Sequence, residues 1–88
     1  MNDLLSGYEI VEKRDFVATR VHSRGCVYLV RRDGMFQAGS ILNGASRVTW
    51  LGSRSADAAG VRLSVERDFA KPDSGRRWAG EWLAQAAT

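Results

Sequence analysis

Two turn dipeptides constrain this chain more than anything else in it. Asp33-Gly34 and Asn43-Gly44 each separate runs of strand-forming residues, and such pairs close tight hairpins because Gly tolerates the positive φ that the turn needs. Before the first turn, Cys26 to Arg32 is rich in β-branched and aromatic residues. Met35 to Leu42 is the returning strand, and Ser46 to Leu51 follows the second turn. Residues 26–52 are therefore expected to form a three-stranded antiparallel meander.

The flanking segments extend this frame. Tyr8 to Glu12 reads as a short strand with Tyr8 and Ile10 on one face, and Phe16 to Val21 as another. After Leu51-Gly52 the period changes. Ala58, Val61, Val65 and Phe69 recur at helical spacing, with Ser55 as the expected cap and Asp57 suited to the positive end of the helix dipole. Gly60 weakens that helix, and Val61, Leu63 and Val65 also fit a strand, yet the spacing favours helix over 55–70. Lys71-Pro72-Asp73-Ser74-Gly75 breaks the chain. Residues 76–86 then read as a second helix carrying Trp78, Trp82 and Leu83 on one stripe. The expected fold is α+β, one domain over 1–88. Its antiparallel sheet is the meander plus one or two N-terminal strands, packed against one or two C-terminal helices.

With 88 residues the core has to be compact, and three Trp, three Phe and two Tyr supply much of its area. Little chain is left for a deep cleft. No apolar run reaches the roughly 18 residues that a membrane helix needs, and Met1-Asn2-Asp3-Leu4-Leu5 lacks the basic start and apolar stretch of a signal peptide. The single Cys26 has no internal disulfide partner. Its neighbours Val27, Tyr28, Leu29 and Val30 suggest a buried strand thiol, and a reduced, cytoplasmic setting is expected.

Charge is unevenly placed. Residues 1–12 hold Asp3, Glu9 and Glu12 and no base, whereas residues 55–88 hold five charges of each sign. Residues 13–54 hold eight bases (Lys13, Arg14, Arg20, Arg24, Arg31, Arg32, Arg47, Arg54) against Asp15 and Asp33 alone. An excess of this kind points to an anionic partner, nucleic acid or an acidic protein face.

Catalytic patterns are missing. His22 is the only histidine and Cys26 the only cysteine, which excludes a Cys/His zinc site. Ser23, His22 and Asp15 can be assembled into a triad on paper, but no nucleophile-elbow sequence surrounds any serine. There is no glycine-rich phosphate loop. Glu66 and Asp68 face different sides of the expected helix and read as solvated. An enzyme is the least expected class, and no cofactor is expected.

One resemblance adds to this. Gly34-Met35-Phe36-Gln37-Ala38, then Arg47-Val48-Thr49-Trp50-Leu51-Gly52 with one inserted residue, then Ser55-Ala56-Asp57-Ala58-Ala59, resemble the plant ethylene-response-factor type of DNA-binding domain and its relatives in phage integrases. The likeness covers residues 30–61. It implies a three-stranded sheet packed on one helix and entering the major groove. Thr49, the inserted residue, would put Arg47 and Trp50 on opposite sides unless a bulge intervenes.

The expected function is accordingly non-enzymatic binding of nucleic acid, DNA foremost, through a basic sheet. Arg31, Arg32, Arg47, Trp50 and Arg54 are the expected contacts, since guanidinium groups match phosphate oxygens and guanine edges. The alternative is a phage- or mobile-element-encoded inhibitor, an anti-CRISPR protein for example, that docks on an acidic host protein surface or a ribonucleoprotein.

Overall fold

A computed structural model of the chain describes residues 3–85. A 3-10 turn, Asp3–Leu5, is followed by β1 (Glu9–Ala18), β2 (Ser23–Arg32), β3 (Met35–Leu42), β4 (Thr49–Ser55), α1 (Ala58–Ala70), β5 (Arg76–Trp78) and β6 (Leu83–Ala84). The strands make one antiparallel sheet in the order β4-β3-β2-β1-β5, with β6 also paired to β1. This is a small α+β fold with one α-helix among the described residues. The expected meander is present as β2, β3 and β4.

At the first hairpin, Asp33 and Gly34 adopt φ of 54° and 75°. Both signs suit a two-residue turn that follows the right-handed twist of the strands. Gly44 likewise has φ of 82°, but the second connection is longer than expected. Ser46, Arg47 and Val48 belong to it, and β4 begins at Thr49. The strands expected at 8–12 and 16–21 are a single strand, β1, with a bulge in its pairing to β2 between Ile10 and Glu12. It ends at Ala18, and His22 takes φ of 52° in the turn that follows.

Partners across antiparallel strands share a face. One face carries Phe16, Val27, Leu29 and Ala38, and Val61, Val65 and Phe69 of α1 pack against it. All seven are buried, and burial of each large apolar side chain contributes about 1.5–3 kcal/mol. Opposite them, Leu5 of the 3-10 turn covers Val30 and Ile41 in a smaller cluster edged by Tyr8 and Tyr28. Phe16 lies so close to β2 that a Cβ on Gly25 would stand 2.8 Å from its ring and 2.8 Å from the Ile41 carbonyl oxygen. Gly25→Ala is expected to cost about 1–3 kcal/mol through overpacking, read as a lower urea midpoint at unchanged slope.

Two expectations about the helices need correcting. The first helix starts later than 55, because β4 runs on to Ser55 and Asp57 takes the N-cap position. Ser55 Oγ accepts from the Asp57 backbone N–H at 3.0 Å, ahead of the helix rather than as its cap. The second helix, expected over 76–86, is absent across its described part, 76–85. That part is an extended strap whose β5 and β6 both pair with β1; residue 86 lies outside the described residues. Backbone bonds from Ala79 N–H to Asp15 O and from Gln85 N–H to Val11 O, both 2.9 Å, continue the attachment.

The strap is fixed by its tryptophans nonetheless. Trp78 stacks on Phe69 with ring centroids 4.2 Å apart, and Trp82 lies 5.5 Å from Trp78. Arg14 sits over the other side of this cluster, 4.2 Å from the Trp78 ring, and donates to Glu66 at 3.0 Å and to the Gly80 carbonyl at 2.6 Å. Glu66 also accepts from Trp82 Nε1 at 3.3 Å. Glu66 is therefore a tie between α1, β1 and the strap while its side chain stays partly exposed. Arg62 of α1 makes a second tie, to Glu12 of β1 at 2.7 Å.

Candidate nucleic-acid interface

The helix covers one face of the sheet, and the 3-10 turn covers part of the other. The remainder of that second face is where charged side chains collect. Its position follows from register: Val17 of β1 stands between Arg24 of β2 and Arg77 of β5, and two residues back along β1 Asp15 pairs with Cys26. The next row runs from Leu83 through Lys13, Tyr28 and Gly39 to Trp50, crossing from β6 to β4. Arg24, Arg77, Asp15 and Leu83 are exposed, and Lys13 and Tyr28 are half-buried. Among the described residues no carboxylate lies within 4.0 Å of the cationic groups of Lys13, Arg24 or Arg77. Asp15 is the one acid in these rows, so the patch carries a positive excess.

The five residues expected at the interface are divided. Arg32 and Trp50 come together on this face, with the Arg32 guanidinium 5.2 Å over the Tyr8 ring and Tyr8 5.2 Å from Trp50. Arg32 also approaches Asp33 at 3.9 Å. Trp50 lies over Gly39, where an added Cβ would meet its ring at 3.0 Å, and it remains 37% exposed. Arg31 is cross-strand from Glu9 and Phe36, on the helix side of the sheet. Its guanidinium is bound to the Glu9 carboxylate and stands 6.0 Å over Phe36. Arg47 leaves the β3–β4 connection toward the helix side as well, beside Phe16, Leu42 and Arg76. Arg54 is exposed near the end of edge strand β4, beyond the irregular pairing between Phe36 and Ala38.

Lys13, Arg24, Tyr28 and Arg77 are not among the expected contacts. The sequence does hold a signal for two of them: Arg24 and Tyr28 alternate with Gly25, Val27 and Leu29, so a buried Val27 and Leu29 place them on the opposite side. Arg77 has no such signal, since its segment reads as helix.

Cys26 stands in the middle of this face, half-buried rather than enclosed, because Val27 takes the inward position in β2. Burial pushes its thiol up from the ordinary range, and Asp15 nearby acts in the same direction. A raised thiol pKa leaves little thiolate at pH 7. Labelling by a disulfide reagent is expected to run slower than for an unfolded control, with a rate that keeps climbing as the pH rises past the ordinary thiol range. Fast labelling at neutral pH would contradict the burial.

No metal-binding group of three or more His, Cys, Asp or Glu side chains occurs among the described residues, and no helix among them is long and apolar enough to cross a membrane. No family model matches the chain, and neither a curated protein nor a solved structure does.

Proposed function

We propose that this domain binds nucleic acid through the part of the sheet that neither the helix nor the 3-10 turn covers. The observation that carries the reading is the set Lys13, Arg24 and Arg77 on three neighbouring strands, with no carboxylate in salt-bridge range among the described residues. Three cations held by a rigid sheet suit a row of phosphates, whose neutralisation releases counterions and dominates affinity. Tyr28 and the Arg32–Tyr8–Trp50 stack continue the face toward β4. Aromatic groups on a sheet can accept an unpaired base by stacking, which adds affinity with little sequence preference.

The decisive measurement is retention of a fluorescent single-stranded oligonucleotide, and of the matching duplex, between about 50 and 200 mM salt. The reading expects binding at the low end that falls steeply with salt. Tighter binding of the single strand would assign the aromatic row to base stacking. No retention of either form at low salt ends the nucleic-acid reading, and docking on a protein surface then becomes the better account.

A further inference from the structure

The helix-covered side of the sheet holds a second site of different character. Where α1 ends, the sheet continues beyond it, and a groove of about 270 Å³ remains between the β3–β4 connection and β5. Its apolar wall is formed by Phe16, Ala18 and Leu42. Two arginines line the groove beside this wall, Arg47 from the connection and Arg76 from β5. Arg76 is held 4.6 Å over the Phe69 ring, and neither arginine has a carboxylate within 4.0 Å among the described residues.

Ser40 points to what would fill the groove. It is 8% exposed, the one buried polar residue among those described, and it lines the groove opposite Thr49 on the neighbouring strand. No side-chain hydrogen bond is formed by its hydroxyl within the described residues. No buried side-chain oxygen or nitrogen among the described residues lacks a partner, so this hydroxyl is one that the groove reaches, and it offers a donor to whatever enters. An apolar wall, two unpaired cations and a free hydroxyl together specify an apolar body with one anionic end.

We infer that this groove is a binding site for a small apolar carboxylate. The apolar body lies against Phe16, Ala18 and Leu42, and the carboxylate accepts from Arg47, Arg76 and the Ser40 hydroxyl. The volume lies at the lower limit for small-molecule pockets, which restricts the ligand to a compact ring or a short chain. The site lies across the sheet from Arg24 and Arg77 and does not depend on nucleic-acid binding.

The probe is 4-phenylbutyrate, titrated into the intact protein and followed by amide chemical shifts, with neutral 4-phenylbutyramide as its isostere. Saturable shifts at Phe16, Ser40, Leu42 and Thr49 are expected, with the acid bound about tenfold more tightly than the amide, since charge-assisted bonds are the stronger ones. Arg47→Gln should weaken the acid by about fivefold or more and leave the amide unchanged. Arg47 is exposed, so the variant should fold, and its amide spectrum verifies that. The proposal is overturned by absence of saturation with the acid, by equal affinity for acid and amide, or by an Arg47→Gln titration identical to wild type. Shifts centred on Arg24 and Arg77 would overturn it too, because they would show an anion drawn only to the basic face.

Discussion

Replacing Trp78 by Ala should destabilise the domain by about 3–4 kcal/mol, the lower part of the range for truncating a large aromatic side chain, since the indole is half-buried against the core. In a chain of this size that corresponds to a fall of roughly 15–25 °C in melting temperature. The reason is how many groups meet at one indole. Trp78 stacks on Phe69, which is itself packed edge-on to Phe16 at 5.4 Å, and Arg14 and Trp82 close over it. Removing the ring leaves a void beneath the strap and takes away the surface that Arg14 covers. Arg14 is only 13% exposed at its side chain, so its bonds to Glu66 and Gly80 depend on the packing that Trp78 provides.

Trp82→Ala should fall in the same direction with a smaller effect, because the Trp82 ring meets Trp78, whereas Trp78 is also stacked on Phe69 and covered by Arg14. It also leaves Glu66 with one donor fewer. Trp82→Phe keeps most of the apolar packing and loses the indole N–H, so wild type against Trp82→Phe reports mainly the hydrogen bond, and Trp82→Phe against Trp82→Ala reports the ring packing. A Trp78→Ala protein that melts with wild type would show that the strap does not hold the fold, and the cluster would then be a surface available to a partner.

The strap is also the segment hardest to read from sequence. Trp78 and Trp82 are four residues apart, which places both on one side of a helix. Here the same meeting of rings arises from an extended segment that turns through Ala79, Gly80 and Glu81, bringing them to Phe69 and Arg14. What decides between the two is pairing with β1, a long-range interaction that no local pattern encodes, together with Gly80 and the poor helix propensity it brings. The β2–β3 hairpin is legible for the opposite reason: Asp33-Gly34 dictates its own geometry locally. Helix α1 is legible through Val61, Val65 and Phe69, but its start is not, because Ser55 and Asp57 both offer polar groups suited to capping. β4 claims the first of them.

Site residues divide along the same line. Closeness in sequence and in the meander groups Arg31 and Arg47 with Arg32. In the fold, alternation sends Arg31 to the helix side, where Glu9 binds it, and the longer β3–β4 connection sends Arg47 to the groove. Arg77 joins the open face only because β5 returns to pair with β1. A charge census along the chain locates a positive excess, but strand order determines which charges share a surface.

That division yields the second large effect. Exchanging Lys13, Arg24 and Arg77 for Ala together should weaken oligonucleotide binding about tenfold or more at low salt, across all sequences, and lower the slope of log affinity against log salt by about one for each phosphate that is no longer neutralised. The comparison is a variant of equal charge change, Arg31→Ala with Arg32→Ala and Arg47→Ala. Its effect should be smaller, since Arg31 is already bound to Glu9, Arg47 lies on the other side of the sheet, and Arg32 alone of this triple stands on the open face. Arg24 and Arg77 are exposed and make no ion pair among the described residues, so their loss should change stability little; a thermal melt of each variant checks this. Net charge falls equally in both triples, so a general attraction between a basic protein and a polyanion predicts equal losses. Equal losses would therefore remove the open face from consideration. A loss confined to the Arg31, Arg32 and Arg47 triple would move the interface to the β3–β4 side of the molecule, where Arg32, Trp50 and Arg54 remain to be tested singly.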